Sequence, residues 1–411
     1  MNFNNRERFT FGDITEIIFS GGTPSTRVDK YWGGDINWLS SGETRNNFIN
    51  TTEKTITKEG VKNSSTRLAK KGDIVMASAG QGFTRGQVSY LHIDTYINQS
   101  IIAIRPNPNI LNNLYAYYNL KNRYEELRAM SDGHSIRGSI TIPMIKELEI
   151  DLPPILEQKE VANILSSLDS KIELNNKINN NLEELAQTLY KHWFVDFEFP
   201  NEEGLPYKSS GGKMVESEHG LIPEGWEVKN LNSLVKQYRI KSNPNENEKL
   251  IDLANMPGYS LTLDSYDYGD KLKTNIYEMK KNNILYGSIR PYLGKFGIAP
   301  FDGLTTGTIH QFLPINNSEY SAVSTLVFSK EFNDFCIKLS YGTKMPVINW
   351  KQLGTYKVIY NNDLFEKFNE ITKSYYENIV KNINENIKLR NIRDLLLPKL
   401  MSGEIRVPVE E

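Results

Sequence analysis

The sequence predicts an α+β fold built as an internal repeat: two mixed α/β domains, each followed by a long helix. Ser131-Asp132-Gly133 and Ser340-Tyr341-Gly342 lie about 209 residues apart, and each precedes a β-like stretch and a long helix. Gly72–Met76 recurs in the same way as Asn282–Tyr286. A repeat this long exceeds any solenoid or propeller unit, so it indicates two copies of a whole domain plus helix, related by a pseudo-twofold. A partner with two separate sites along one axis would suit such a molecule, and duplex DNA is the obvious candidate.

Length and composition are those of an ordinary globular protein. The 411 residues allow two to three domains, with 39% hydrophobic and 24% charged residues. The single Cys336 excludes a disulfide framework and a Cys-rich zinc site, and the five histidines lack metal-binding spacing. We therefore expect no metal site. Because the sequence has neither an apolar leader nor a run of about 18 apolar residues, we expect a cytoplasmic protein.

The net charge of −2 hides an uneven distribution along the chain. Residues 1–150 and 201–360 are slightly basic, whereas residues 151–200 and 361–411 are acidic. This pattern is compatible with DNA on the globular parts and protein partners on the helices.

The first domain is predicted to be mostly β with short helices. Glycines punctuate short apolar runs such as Ile74–Met76, a helix is predicted at Leu111–Met130, and the domain ends in a short strand at Leu148–Ile150. A Gly-, Ser- and Glu-rich stretch at residues 200–225 is interpreted as a linker. The second mixed domain follows from Trp226 to about Ile359.

The first long helix is predicted from Gln158 to about Trp193, a stretch without Gly or Pro. Asn175 and Asn179 interrupt its apolar stripe at the middle. Asparagine inside a helix seam costs stability but fixes register and partner orientation. The alternative is that the seam frays at these positions.

The second long helix is predicted from about Asp363 to Leu397, where Pro398 stops it. The two helices match in length, so we expect them to form an antiparallel coiled coil that separates the two domains. A helix of roughly 34 residues spans about 50 Å, the length of about 15 base pairs. The helix pair is therefore a candidate ruler between two recognition modules.

Motifs of catalysis are missing from the sequence. It has no GxxxxGK[ST] phosphate loop, and the third glycine of Gly80–Gly86 comes one residue too late for a dinucleotide loop. Asp151 with Glu157 and Lys159 resembles a nuclease pattern, but two prolines separate the carboxylates. Glu157 instead lies at the start of a helix, where its negative charge interacts favourably with the helix macrodipole. The chain is interpreted as a recognition module and not as an enzyme.

Several motifs, spread over nearly the whole chain, resemble one protein family. In chain order they are Ser20–Ser25, Tyr31–Trp38, Asp151–Ala162, Lys171–Ile178, Leu189–Phe197, Leu221–Val228 and Arg393–Ile405. Together they closely resemble the specificity (S) subunit of type I restriction-modification enzymes. The resemblance implies target recognition domains at residues 1–152 and 226–360, a central conserved helix at 153–199, a linker at 200–225, and a C-terminal conserved helix and tail at 361–411.

The resemblance also implies function and partners. Each target recognition domain would read one half of a bipartite, asymmetric site in double-stranded DNA. The half-sites should differ, because the Trp32 and Trp38 motif of the first domain has no clear match in the second. The helices would dock two methyltransferase (M) subunits and, through them, the restriction (R) subunits. S-adenosylmethionine, ATP and Mg²⁺ would belong to those partners, with no cofactor in this chain. The rival hypotheses are a stand-alone DNA-modifying enzyme and a scaffold that does not read DNA.

Candidate DNA contacts are side chains in Gly-flanked loops that can pair with bases or phosphates. In the first domain they are Thr23, Arg27, Gln81, Thr84, Arg85, His134, Ser135 and Arg137. In the second domain they are Ser288, Arg290, Tyr292, Lys295, Thr343 and Lys344. Candidates for helix register or partner docking are Asn175, Asn179, Leu182, Leu189, Ile379 and Ile383. For any one Lys or Arg the alternative is a solvated surface residue. The Arg290 loop is expected to correspond to the Gly80–Gly86 loop.

Overall fold

The computed structural model describes residues 6–80, 82–132, 138–243, 247–269 and 275–408. The chain divides into two compact units: Met1–Asp169 with Asn391–Glu411, and Ser170–Arg390. These boundaries fall inside the two long helices, unlike the domain bounds predicted at residues 152 and 360. Each unit therefore contains one globular domain and a part of both helices.

The first unit is rich in short strands. Its strands are β1 (Glu7–Thr10), β2 (Thr15–Ser20), β3 (Trp32–Leu39), β4 (Phe48–Ile49), β5 (Lys54–Ile56), β6 (Arg67–Ala69), β7 (Ile74–Ala77), β8 (Val88–Leu91), β9 (Thr95–Ile97), β10 (Ile101–Pro106) and β11 (Glu149–Leu152). Its short helices are α1 (Lys58–Lys62), α2 (Asn113–Asn122), α3 (Tyr124–Asp132) and α4 (Ile142–Lys146). The first long helix, α5 (Ile155–Tyr190), begins in this unit and is followed by a π-helical turn, Lys191–Val195.

Three sheets build the first domain. The largest has the strand order β2-β10-β7-β8-β4, the second has the order β5-β3-β9-β6, and β1 pairs with β11. Pairing is antiparallel except between β3 and β9 and between β4 and β8. The strands β7 and β10 lie inside the largest sheet and are apolar on both faces, because α2 covers one face and the second sheet packs on the other side.

The core of the first unit extends onto the long helices. Tyr115 and Tyr118 of α2 are fully buried and belong to one hydrophobic cluster with Leu165 of α5. Leu397, Leu400 and Met401, near the chain's C-terminal end, join the same cluster. Burial of each such side chain contributes about 1.5–3 kcal/mol, so the core itself holds the helix ends in place.

The second unit contains the remaining elements. Its strands are β12 (Met214–Ser217), β13 (Gly220–Pro223), β14 (Glu227–Asn230), β15 (Val235–Gln237), β16 (Lys249–Ile251), β17 (Asp267–Tyr268), β18 (Ile276–Met279), β19 (Ile284–Gly287), β20 (Phe296–Ile298), β21 (Gly303–Thr306), β22 (Ile309–Pro314) and β23 (Lys357–Tyr360). Its helices are α6 (Tyr320–Val327), α7 (Lys330–Leu339), α8 (Trp350–Leu353) and most of α9 (Asn362–Ser402).

The second domain repeats the sheet topology of the first. The order β15-β22-β19-β20 matches β2-β10-β7-β8, the order β17-β16-β21-β18 matches β5-β3-β9-β6, and β14–β23 matches β1–β11. The match includes the parallel pair, since β16 and β21 run parallel as β3 and β9 do. The internal repeat predicted from the sequence is therefore confirmed.

Two expectations about local structure need adjustment. The helix predicted at Leu111–Met130 is two helices, α2 and α3, which meet at Arg123, where the Nη1 atom donates to the backbone oxygen of Glu149 at 2.6 Å. The stretch 200–225, expected to be a plain linker, contains the antiparallel hairpin β12–β13. Ile222 of this hairpin is buried in the core of the second unit, which explains why the segment is ordered.

The prediction that Pro398 stops the second long helix is wrong. Helix α9 continues through Pro398 to Ser402 and is followed by Gly403 at a φ of 81°. Proline inside a helix costs about 3 kcal/mol. The final turn buries Leu400 and Met401, and about 1.5–3 kcal/mol for each outweighs that cost.

Among the helices that the described residues form, none is both long enough and apolar enough to cross a membrane.

Candidate nucleic-acid interface

The loops that follow β7 and β19 occupy equivalent positions in the two repeats. The amide of Ser78 donates to the backbone oxygen of Ser100, and the amide of Ser288 donates to that of Thr308, both at 2.8 Å. The same two serines each accept on their backbone oxygen at 2.9 Å, Ser78 from the amide of Ile140 and Ser288 from the amide of Ile348. The Gly80–Gly86 loop and the Arg290 loop therefore start from equivalent positions, each anchored by the same kind of backbone hydrogen bonds.

In the second unit, the backbone of Arg290 holds its loop in an unusual shape. Arg290 has left-handed backbone angles (φ 51°, ψ 62°), which cost a non-glycine residue roughly 1–2 kcal/mol. Its amide donates to the backbone oxygen of Pro346 at 2.7 Å. The hydroxyl of Tyr259 donates to the backbone oxygen of Tyr292 at 3.1 Å and closes the other side of the loop. The side chain of Arg290 is exposed.

The loop after α7 lies beside the Arg290 loop. Tyr341 and Val347 exchange backbone hydrogen bonds of 2.9 and 3.0 Å, and Val347 also bridges to Ile289. Thr343 and Lys344 lie at the turn between them and are exposed. Four predicted residues, Arg290, Tyr292, Thr343 and Lys344, are thus carried by two adjoining loops of one exposed surface.

The buried side chain of His310 supports these two loops. Its Nε2 atom lies 3.1 Å from the backbone oxygen of Ile348, so Nε2 carries the proton and donates. Its Nδ1 atom then accepts from the side-chain amide of Gln237 at 3.3 Å. Burial lowers the pKa of His310, which agrees with a neutral ring that pins Ile348 next to Ser288.

Two other predicted residues of the second unit are tied into the fold. Ser288 is buried, and its hydroxyl donates to the backbone oxygen of Thr308 at 2.8 Å. The amine of Lys295 donates to the backbone oxygen of Met256 at 2.8 Å, and burial lowers the pKa of this amine. Both side chains hold loops together, which favours a supporting role over a direct base contact.

In the first unit, the Gly-rich loop after β7 presents Phe83 and Thr84. The side chain of Phe83 is 80% exposed, the largest exposed fraction among the big apolar side chains described. Two residues of α3 brace the loop: the hydroxyl of Tyr124 donates to the backbone oxygen of Phe83 at 2.8 Å, and Arg128 donates to that of Gly82 at 2.7 Å. Sequence reasoning missed Phe83, although a large aromatic residue within a glycine-rich loop is itself a signal.

Arg85, predicted to face DNA from the same loop, is buried instead. A Cβ atom at Gly138 would lie 1.8 Å from its Nη1 atom, so the guanidinium occupies the space that Gly138 leaves open. The exposed surface of this loop therefore does not include Arg85. The other predicted residues near it, Gln81, His134, Ser135 and Arg137, lie outside the described residues.

Thr23 and Arg27 lie in the loop between β2 and β3. The hydroxyl of Thr23 donates to the side-chain oxygen of Gln99 at 2.5 Å, next to the Ser100 carbonyl that anchors Ser78. The indole of Trp38 donates to the backbone oxygen of Gly22 at 3.3 Å, and Trp32 packs edge-on against Trp38 at 5.0 Å. The tryptophans thus shape the loop, while Arg27 is exposed.

Asn175 and Asn179 make reciprocal contacts across the helix seam of the second unit. The amide of Asn175 donates to the side-chain oxygen of Asn386 at 2.9 Å, and the amide of Asn382 donates to that of Asn179, also at 2.9 Å. Helix α5 continues without a break through both positions. The earlier asparagine of each helix pairs with the later asparagine of the other, so the two helices run antiparallel here.

The apolar candidates on the helices differ in exposure. Ile379 and Ile383 are fully buried in the core of the second unit, so they pack within the seam and cannot meet an external partner. Leu182 and Leu189 are half-buried against the same core. The apolar helix side chains of this unit that do face solvent were not predicted; they include Leu174, Ile178, Leu185 and Ile371.

A family model described as "Type I restriction modification DNA specificity domain" matches residues 4–184. The type I restriction enzyme MjaIX specificity subunit of Methanocaldococcus jannaschii is 31% identical over 421 residues, which cover 96% of this chain and 92% of that protein. The chain belongs to the family of type I restriction enzyme specificity subunits. The HindI specificity subunit of Haemophilus influenzae is 23% identical over 97% of this chain and 99% of its own length.

A solved specificity subunit shares the fold of this family member. The crystal structure of the type I restriction-modification S subunit from M. genitalium matches with a TM-score of 0.55 and 19% identity. The match covers 97% of each chain. Within the ranges that the structure describes, His, Cys, Asp and Glu side chains do not gather in threes that could hold a metal ion.

Proposed function

We propose that this chain is the DNA-reading subunit of a type I restriction-modification complex and recognises a bipartite, asymmetric site. The observation that carries the proposal is the pair of equivalent, anchored loop clusters. One presents Phe83 and Thr84, and the other presents Arg290, Tyr292 and Lys344. Two loop sets on one scaffold that differ in chemistry are what two different half-sites require.

The same proposal covers the partners. Two methyltransferase subunits would bind the helices, where exposed apolar side chains such as Leu174, Leu185 and Ile371 offer contact area. The restriction subunits would join through them. S-adenosylmethionine, ATP and Mg²⁺ would act on those partners, and this chain would contribute binding without catalysis. The cytoplasmic location expected from the sequence belongs to the same proposal.

The experiment is methylation mapping of cells that express this chain with its methyltransferase subunits. We expect one bipartite motif in wild-type cells. Arg290→Ala should relax the bases of one half-site only, by about 1–3 kcal/mol of discrimination, because an arginine can make a bidentate contact to guanine. Lys213→Ala is the matched control, since it removes an exposed cation of the same unit from the hairpin region.

The outcomes separate the rival functions. Loss of both half-sites in Arg290→Ala would point to misfolding instead of a lost base contact. Methylation by the purified chain alone would identify a stand-alone enzyme. Equal binding of motif-bearing and random duplexes by the full complex would identify a scaffold that does not read DNA.

The helix pair would set the distance between half-sites. We expect that four residues inserted directly after Asn179, with four more inserted directly before Asn382, lengthen the spacer of the methylated motif. Matched insertion keeps the antiparallel seam in register, because Asn179 and Asn382 face each other and the insertions leave both asparagine pairs intact. An unchanged spacer in a folded, active complex would show that the helices are not the ruler.

A further inference from the structure

An exposed arginine stacks on a buried aromatic ring in the first unit. The guanidinium carbon of Arg67, on β6, lies 4.2 Å from the ring centroid of Phe19, on β2. Phe19 is only 3% exposed, whereas Arg67 is exposed. The ring is therefore a fixed platform that holds the arginine at the surface.

The second unit contains the same arrangement. The guanidinium carbon of Arg239, two residues beyond β15, lies 4.3 Å from the ring centroid of Tyr277, on β18. Its Nη2 atom also donates to the hydroxyl of Tyr277 at 3.0 Å. Tyr277 is buried and Arg239 is exposed.

The two stacked pairs occupy corresponding places in the two units, but the strands that carry the arginine and the ring are exchanged. Arg67 pairs with Ile97, four residues before β10 begins, and Tyr277 pairs with Thr305, four residues before β22 begins. The strand that carries the arginine in the first unit thus carries the ring in the second. The opposite partner comes from β2 in the first unit and from the segment just beyond β15 in the second, and β2 and β15 also correspond. The sequences therefore differ at each position, while a stacked arginine is kept.

Both arginines lie close to the loops of the proposed DNA interface. A Cβ atom at Gly307 would lie 3.5 Å from Nη2 of Arg239, and the next residue, Thr308, anchors Ser288 at the start of the Arg290 loop. In the first unit, the backbone oxygen of Ile97, opposite Arg67, accepts from the amide of Gly22. Gly22 precedes Thr23, so Arg67 adjoins the loop that carries Thr23.

The chemistry of these arginines suits a phosphate. Within the described residues, neither guanidinium has a carboxylate partner. Stacking uses the face of each guanidinium and leaves its edge for a ligand, except that Nη2 of Arg239 already donates to Tyr277. A guanidinium matches phosphate oxygens in a bidentate way and, being weakly hydrated, stacks readily on rings. A base contact would be expected to differ between two domains that read different sequences. A phosphate is the same in both half-sites.

We propose that Arg67 and Arg239 each hold a phosphate of the DNA backbone, one in each half-site. The inference rests on the proposed function and adds two positions that place the recognition domains on the duplex without reading sequence. The equivalent location of the two stacked arginines, despite the exchange of partners, is what carries it.

The test measures salt dependence of DNA binding by the complex with methyltransferase subunits. Labelled duplexes carrying the mapped motif or a shuffled version are titrated between 50 and 200 mM salt with wild type, Arg67→Gln, Arg239→Gln and the double variant. Each lost phosphate contact should reduce the slope of log affinity against log salt by about 0.9. The fall in affinity over this range should then be about 3- to 4-fold smaller per arginine, and equally so for both duplexes.

Controls distinguish lost contacts from lost structure. Arg67→Lys keeps the charge and Tyr277→Phe keeps the ring, so both variants should keep the wild-type slope. Lys213→Gln removes an exposed cation outside the proposed contacts and should also leave the slope unchanged. An unchanged slope in the folded double variant would overturn the inference, as would altered base preference at one half-site, which would mean base reading. If the wild-type complex itself does not prefer the motif-bearing duplex, the proposed function fails, whatever the arginines do.

Discussion

The two units attach their domain to a long helix at the same place but with different chemistry. In the first unit the hydroxyl of Tyr118 donates to Asp169 at 2.8 Å, and Arg393 donates to the other oxygen of Asp169 at 2.6 Å. In the second unit the hydroxyls of Thr325 and Tyr376 lie 2.6 Å apart. Asp169 and Tyr376 correspond, since each precedes an asparagine of the seam, Asn175 or Asn382, by six residues.

The comparison shows that the repeat keeps a buried polar contact at this junction and changes its type. Asp169 and Arg393 are both buried, so the first unit depends on a charge pair. A buried pair adds little over a well-packed apolar junction, but removal of one partner leaves an unpaired charge. The neutral hydroxyl pair of the second unit carries no such risk. We therefore expect that removal of one partner at this junction lowers the stability of the first unit more than that of the second.

The largest effect is expected for Arg393→Met. This change leaves Asp169 buried without its cation and should lower the free energy of unfolding by about 3–5 kcal/mol. Tyr376→Phe, the matched change in the second unit, should cost only about 1 kcal/mol, since it removes one neutral hydrogen bond. Hydrogen exchange read peptide by peptide should place the first loss in Met1–Asp169 and the second in Ser170–Arg390.

A rescue variant sharpens this test. Asp169→Asn combined with Arg393→Met removes both charges and should recover most of the stability lost in Arg393→Met alone. Equal stability of Arg393→Met and Tyr376→Phe would contradict the idea that the two junctions differ in kind.

A smaller effect is expected from the two corresponding asparagines of the seam. Asn175→Ala removes a donor to both Asn386 and Glu385, at 2.9 and 2.8 Å, and leaves a buried acceptor unpaired. We expect a loss of about 1–3 kcal/mol. Asn382→Ala removes one bond from a half-buried site, so its cost should lie at the lower end of that range. Urea unfolding of both variants measures the difference, and a larger cost for Asn382→Ala would reverse the ranking of the two sites.

The smallest effect is a pH dependence confined to the second unit. Glu183 of α5 corresponds to Arg390 of α9, and burial raises the pKa of Glu183 to about 7 despite a hydrogen bond from the backbone of Leu261. A carboxyl whose pKa rises on folding contributes stability below its unfolded pKa of about 4.3, and that contribution is lost as pH rises through 7. Because Glu183 is half-buried, we expect only about 1 kcal/mol to be lost between pH 5 and pH 8.

The variant Glu183→Gln provides the control for this pH dependence. Its melting temperature should vary less between pH 5 and pH 8 than that of the wild type, because the amide does not titrate. Identical pH profiles for wild type and Glu183→Gln would remove Glu183 from the explanation.

Much of the architecture could be predicted from local signals. The long helices follow from uninterrupted 3–4 spacing, and the repeat follows from matching short motifs about 209 residues apart. The end of α9 could not be predicted in this way, because the burial of Leu400 and Met401 by a distant core overrides the local effect of Pro398. Tertiary packing decides such cases whenever its free energy exceeds the local propensity.

The candidate site was predictable only in part for a related reason. Arg290, Tyr292, Thr343 and Lys344 could be singled out, because glycines mark exposed loops. Arg85 has the same local signal, yet it is buried against Gly138, a neighbour that the sequence does not identify. Whether a loop arginine faces solvent depends on which distant segment packs against it.

The sequence by itself determined the family, the duplicated plan, the two long helices and the asparagines at their seam, because each is encoded in contiguous residues. Only the tertiary structure decided which side chains reach the surface and which pairs form across the sheets. The stacked arginines show the reason. Arg67 meets Phe19 and Arg239 meets Tyr277 because separate strands bring them together. Because the arginine and the ring exchange strands between the repeats, a position-by-position comparison of the two half-sequences does not reveal the shared arrangement.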